Sequence, residues 1–178
     1  HQHDEKMKGI GRLQALELIL TWANIALDDK EKDALCAKKN QWFVEYISTI
    51  TPADILPGVE SFLKQLKSKQ YKIALGSASK NAPAILQKLA VTHYFDVIVD
   101  GNMVTTPKPN PEIFLKGAVL TNSKPESCIV FEDAISGVEA ALNAGMYVIG
   151  IGDSQILHKA HICIPSFEGF SVDRLGEL

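Results

Sequence analysis

The chain has 178 residues and a mass of 19.5 kDa, enough for one good core with a small accessory layer and hardly enough for two full domains. Apolar residues at 46% and charged residues at 22% are the proportions of a folded globular protein and exclude a disordered or fibrous chain. A net charge of −3 and a pI near 6.0 leave no basic footprint for nucleic acid, and no apolar run is long enough to span a bilayer.

Leu13, Leu16, Leu20, Ala23 and Leu27 recur at helical spacing, interrupted by Gln14, Glu17, Thr21 and Asn24, the pattern of an amphipathic helix. After Asp28-Asp29 a second helix carries Leu35, Phe43, Tyr46, Ile47 and Ile50, and Thr51-Pro52 ends it. Residues 1–50 therefore read as one helical unit with a boundary near Thr51. Pro57-Gly58 opens a new helix whose apolar face is Val59, Phe62, Leu63 and Leu66.

From there the pattern changes. Short apolar runs at 72–75, 97–99, 128–131, 148–151 and 162–164 alternate with helices at 82–89, 111–120, 136–144 and 171–178. Continuous apolar strands between helices predict a parallel sheet covered on both faces, a doubly wound α/β core over residues 51–178. Ligands in such sheets bind beyond the carboxyl ends of the strands, so residues 76–81, 100–108, 132–133 and 152–153 share one rim. The three cysteines, Cys36, Cys128 and Cys163, are odd in number and widely spaced, and read as buried thiols of a reducing cytosol.

Several rim residues have a chemical and a bland interpretation. Ser77, Ser79, Lys80 and Asn81 follow a strand and lead into a helix, a set of hydroxyl, amide and cationic donors that suits phosphate; Ser and Asn are equally good helix caps. Lys108 lies between Pro107 and Pro109, which limit where its ammonium points; the same lysine could sit in a solvated proline-rich turn. Glu132 and Asp133 end a strand as adjacent hard oxygen donors suited to Mg2+, while Asp133 alone could cap the following helix. Lys8-Gly-Ile-Gly-Arg12 puts a flexible turn before a guanidinium able to grip phosphate bidentately. Lys38, Lys39 and Asn40 form a second polar patch, which a solvated helix face would also explain.

Taken in order, Lys8-Gly-x-x-Arg12, Pro52-Ala-Asp54 with Pro57-Gly58, Ser77-Ala-Ser-Lys-Asn81, Lys108-Pro and Glu132-Asp133 with Gly137 resemble the β-phosphoglucomutase-like branch of the haloacid dehalogenase (HAD) superfamily. The resemblance implies a Rossmann-like core under a small α-helical cap, with residues 1–50 the remainder of that cap. It implies a Mg2+-dependent sugar-phosphate enzyme in which Ser77 and Ala78 contact the transferring phosphate and Lys108 neutralises it. Glu132 and Asp133 would hold Mg2+, Arg12, Ser79, Lys80 and Asn81 would grip the distal phosphate of a bisphosphate intermediate, and Lys39 and Asn40 would touch the sugar. The implied reaction interconverts β-glucose 1-phosphate and glucose 6-phosphate, with a sugar-phosphate phosphatase or a non-catalytic phosphosugar-binding module as alternatives. The expected partner is a small sugar phosphate, with neither nucleic acid nor membrane, for a cytoplasmic monomer.

One departure stands out. The family carries an Asp-x-Asp pair after its first strand, the first aspartate being the nucleophile, and no such pair occurs in the 178 residues. The expectation is that this pair and the first, central strand lie ahead of His1.

Overall fold

The computed structural model describes residues 7–177. Two helices, α1 (Arg12–Ala23) and α2 (Asp29–Thr49), form an antiparallel hairpin. Periodicity extends the first helix to Leu27, but Asn24 turns into the left-handed region at φ 52° and its N–H closes on the carbonyls of Leu20 and Thr21. Asparagine tolerates that conformation and stops the helix four residues early. The second begins with reciprocal capping: the Glu31 N–H donates to Asp28 Oδ1 at 2.8 Å and the Asp28 N–H donates to Glu31 Oε2 at 3.0 Å.

A 3-10 turn at Pro52–Asp54 separates this hairpin from α3 (Val59–Ser68), which buries Phe62, Leu63 and Leu66. The rest alternates strand and helix: β1 (Ala74–Gly76), α4 (Ala82–Lys88), β2 (Val97–Val99), α5 (Glu112–Leu120), β3 (Ile129–Glu132), α6 (Ile135–Asn143), β4 (Tyr147–Ile151) and β5 (Ile162–Ile164). Every ladder is parallel, as expected for the doubly wound plan. β1 pairs with β2 in one sheet, β3, β4 and β5 pair in another, and no ladder joins β1 to β3 among the described residues.

Side-chain alternation covers both faces of the larger sheet. Ile129, Phe131, Tyr147, Ile149 and Ile151 face a cluster built on Phe62, Leu66 and Phe170, whereas Val130 and Val148 face Val138, Ala141 and Ala118. Phe62 is the hub of the first cluster, with its ring centroid 5.1 to 5.5 Å from those of Phe131, Phe167 and Phe170.

Four local expectations need correction. The helix anticipated at 171–178 is a 3-10 run, Val172–Glu177, in which Val172 and Leu175 eclipse at i and i+3 and are both buried; Leu178 lies outside the described residues. The first strand begins at Ala74 rather than residue 72, and the third runs one residue further, so Glu132 belongs to the ladder opposite Gly150. The cysteines are free thiols, half-buried rather than buried. Among the described residues no helix is long and apolar enough to cross a membrane.

Candidate active site

Parallel pairing brings the carboxyl ends of the strands level: Gly76 opposes Val99 in one sheet and Glu132 opposes Gly150 in the other. Lys108 joins the two sheets at this rim. Its Nζ donates to the Gly76 carbonyl at 3.3 Å, pairs closely with Glu132 Oε1 and stands 4.7 Å from the centre of the Phe114 ring. The lysine is 4% exposed, so the solvated-turn interpretation is excluded. A buried cation of this kind is tolerated because a carboxylate, a carbonyl and an aromatic face replace its water.

Glu132 is equally committed. Oε1 meets Lys108, and Oε2 accepts the backbone N–H groups of Asp133 at 3.1 Å and Ala134 at 3.2 Å. Gly137, in the first turn of α6, makes room for it: a Cβ there would stand 2.1 Å from the Glu132 carboxyl carbon. The segment carrying Lys108 is tied down in turn by Glu112, whose carboxylate accepts the N–H groups of Thr105 and Thr106 and the Thr105 hydroxyl at 2.8 to 3.1 Å. Those bonds, led by the Thr105 N–H, hold the Glu112 carboxyl below its usual range.

The loop after β1 is organised by its own hydroxyls. Ser77 Oγ accepts the Ser79 N–H and Ser79 Oγ accepts the Asn81 N–H, each at 3.2 Å, while the Ser77 N–H donates to the Val99 carbonyl at 2.9 Å. Asn81 is the cap residue of α4 but makes no side-chain cap bond, so its amide is free to face the helical hairpin. There the Asn81 Nδ2 donates to Asn40 Oδ1 at 3.0 Å, and the same oxygen accepts from Arg12 Nη2 at 2.5 Å. Arg12, Asn40 and Asn81, from α1, α2 and the head of α4, thus form one polar junction between hairpin and core. Ser77, Ala78 and Ser79 are half-buried along the loop and Lys80 is exposed beside them. Lys39 is placed elsewhere: it is exposed, with Nζ 5.4 Å from the centre of the Phe43 ring on its own helix.

A second contact anchors the hairpin near the carboxylates. Gly9, at φ 72°, lies so close to the loop before α6 that a Cβ would come within 2.8 Å of Ala134 Cβ and Ser136 Oγ, and the Ser136 hydroxyl donates to the Lys8 carbonyl at 3.1 Å. Phe114, Ser136 and Glu112 were not singled out in the sequence. The Thr-Thr run six residues before Glu112 and the Gly9–Ser136 approach have no local signature, and Phe114 reads as core by its helical spacing.

Mg2+ takes one or two carboxylate oxygens and fills its shell with water and phosphate oxygens. Asp133 fits: it is exposed at the end of β3, the helix after it is capped by Ala134 without a side-chain bond, and its carboxylate has no partner among the described residues. Glu132 is the more committed of the two, since both of its oxygens already accept hydrogen bonds. No group of three or more His, Cys, Asp or Glu side chains is placed to cage a metal among the described residues.

With this geometry in hand, similarity to known proteins is informative. Residues 22–151 match the model of the haloacid dehalogenase-like hydrolase family. The chain is 38% identical over 176 residues to the β-phosphoglucomutase of Bacillus subtilis, covering 98% of this chain and 78% of that protein. It is 45% identical over 92 residues to a phosphorylated carbohydrates phosphatase of Thermotoga maritima, covering 51% of this chain and 43% of that protein. Among solved structures, β-phosphoglucomutase from Clostridium difficile superposes with a TM-score of 0.94 at 38% identity, covering 99% of this chain and 80% of that one. The chain belongs to the haloacid dehalogenase superfamily, is β-phosphoglucomutase-like within it, and has the α/β Rossmann-like core of its phosphoryl-transfer enzymes.

Proposed function

We propose that the protein carrying this chain is a sugar-phosphate mutase, interconverting β-glucose 1-phosphate and glucose 6-phosphate through an aspartyl-phosphate and a bisphosphate intermediate. The observation that carries this choice is the approach of Arg12 to Asn81 through Asn40. A phosphatase needs one phosphate site; a mutase must hold a second phosphate while the sugar presents either hydroxyl. Arg12 with Ser79, Lys80 and Asn81 supplies cationic and neutral donors for that second phosphate, a set separate from the Lys108 pair: Arg12 and Asn81 meet at Asn40, Lys108 meets Glu132.

Phosphoryl transfer asks a protein mainly for positioning and charge neutralisation. In the proposed roles Ser77 and the Ala78 backbone orient the transferring phosphate, and Lys108 offsets the charge on its oxygens from a fixed position between the ends of β1 and β3. Glu132 keeps the Lys108 ammonium aimed. Asp133 would hold Mg2+, which when bound adds positive charge beside the phosphate oxygens. Lys39 is assigned to the sugar side, where its long stem would have to swing from Phe43. The helical hairpin meets the core at Arg12, Asn40 and Asn81 and at Ser136, and its closure over a bound sugar would exclude water, so that a sugar hydroxyl rather than solvent takes the phosphoryl group. The chemistry also requires an aspartyl nucleophile, which residues 1–178 do not supply in the family's Asp-x-Asp spacing.

The phosphatase reading has support from relatives such as the Thermotoga maritima phosphatase, and product analysis separates the two. With β-glucose 1-phosphate and a catalytic amount of a glucose bisphosphate, the mutase yields glucose 6-phosphate and almost no inorganic phosphate. Stoichiometric inorganic phosphate, unaffected by the bisphosphate, would overturn the proposal.

A further inference from the structure

We infer that the Asn40 carboxamide oxygen holds the place of a ligand phosphate oxygen, as an internal competitor that a sugar phosphate must displace; this rests on the distal-phosphate role proposed for Arg12 and Asn81. Two donors on separate elements converge on this one atom, Arg12 Nη2 at 2.5 Å and Asn81 Nδ2 at 3.0 Å. A guanidinium can only donate, so the carboxamide must turn its oxygen and not its nitrogen to Arg12. Arg12 has a further bond from Nη1 to the Cys36 carbonyl at 3.4 Å, which holds the guanidinium plane against α2. Arg12, Asn40 and Asn81 are each half-buried, which leaves the junction accessible to a small anion.

A phosphate oxygen carries charge where the amide oxygen carries only a dipole, so Arg12 exchanges an ion–dipole bond for an ion pair and the neutral Asn81 bond becomes charge-assisted, about twice as strong. A bound phosphate therefore takes both donors from Asn40. The Asn40 contacts then stabilise only the ligand-free state, so they subtract from affinity by the amount they contribute there. They also join hairpin to core when no ligand is present, keeping Arg12 and Asn81 at the separation a single oxygen requires. Asn40 is thus a positioning residue in the empty site and gives way in the filled one.

The experiment is calorimetric titration of glucose 6-phosphate into the wild-type protein and the Asn40→Ala, Asn40→Ser, Asn40→Asp, Arg12→Ala and Arg12→Ala/Asn40→Ala variants, with folding checked by circular dichroism. Removing the competitor in Asn40→Ala tightens binding, on the order of 3- to 10-fold, the worth of one modest hydrogen bond. Making it anionic in Asn40→Asp loosens binding by roughly 10-fold or more, because a carboxylate rivals phosphate for Arg12. In the Arg12→Ala background, where only the Asn81 bond to Asn40 remains, the gain from Asn40→Ala shrinks. Weaker binding in Asn40→Ala, or a gain undiminished without Arg12, would overturn the inference; Asn40→Ser replaces Asn40→Ala should the latter fail to fold. If Arg12→Ala leaves affinity unchanged, the distal-phosphate role itself fails, an outcome distinct from loss of the competitor alone.

Discussion

The two halves of the site are built to opposite specifications. At the strand ends, Lys108 and Glu132 are 4% and 8% exposed, and each meets several fixed groups. At the junction between hairpin and core, Arg12, Asn40 and Asn81 are half-buried, and the bonds that join the three side chains are ones that water or a ligand can replace. The first arrangement suits a charge that must not move while a phosphoryl group passes. The second suits a group that must engage and release each of two phosphates in turn.

Breaking the buried half should cost most. Lys108→Ala leaves Glu132 buried without its counter-ion, and removing one partner of a buried pair typically costs about 3 to 5 kcal/mol of stability. Turnover should fall by roughly 10²- to 10³-fold, the usual loss when a preorganised charge-stabilising donor is removed. Urea unfolding and a product assay read the two effects. Lys108→Met combined with Glu132→Gln, which removes both charges, should recover most of the stability and none of the turnover. Recovery of both would mean that Lys108 is only structural.

Gly137→Ala sharpens the same point from the other side. Its Cβ would enter the space of the Glu132 carboxyl group, so Glu132 must rotate away from Lys108 or α6 must shift. Overpacking of this kind costs about 1 to 3 kcal/mol, and turnover should fall together with the thermal midpoint. An unchanged midpoint would show that the first turn of α6 yields freely.

The smallest effect concerns pH. Glu112 has a lowered carboxyl pKa in the fold, chiefly through the Thr105 N–H, so it binds its proton more weakly folded than unfolded. Its contribution is therefore complete above the unfolded value, about 4.3, and is lost as pH falls through the depressed folded value. Glu112→Gln should flatten the fall in stability of the wild-type protein below about pH 4. Equal slopes for the two proteins would remove Glu112 as an anchor of the Lys108 segment.

The sequence exposed the fold more fully than the site. Apolar runs and breakers such as Thr51-Pro52 and Pro57-Gly58 located every strand and nearly every helix, because burial on both faces leaves an unbroken apolar signature. It failed where one residue's conformation decides, as at Asn24, or where a 3-10 run shares the three-residue spacing of an α-helix, as at Val172–Glu177. Lys108 and Glu132 were recognisable as residues, but not as partners, since nothing local tells which side chains meet across two sheets. The same holds for Asn40, whose meeting with Arg12 and Asn81 has no local signature. The resemblance to a family supplied the candidate site residues; the geometry divided them into a buried group and a half-buried one.

The division of labour is tested most directly by Arg12→Ala, assayed by phosphorus NMR for glucose 6-phosphate and inorganic phosphate formed from β-glucose 1-phosphate with bisphosphate present. Mutase flux should fall by roughly 10-fold or more, as expected for loss of a charge-assisted contact, while release of inorganic phosphate is little changed. Equal loss of both products would contradict that division, because Arg12 would then serve the transfer step itself and not the second phosphate.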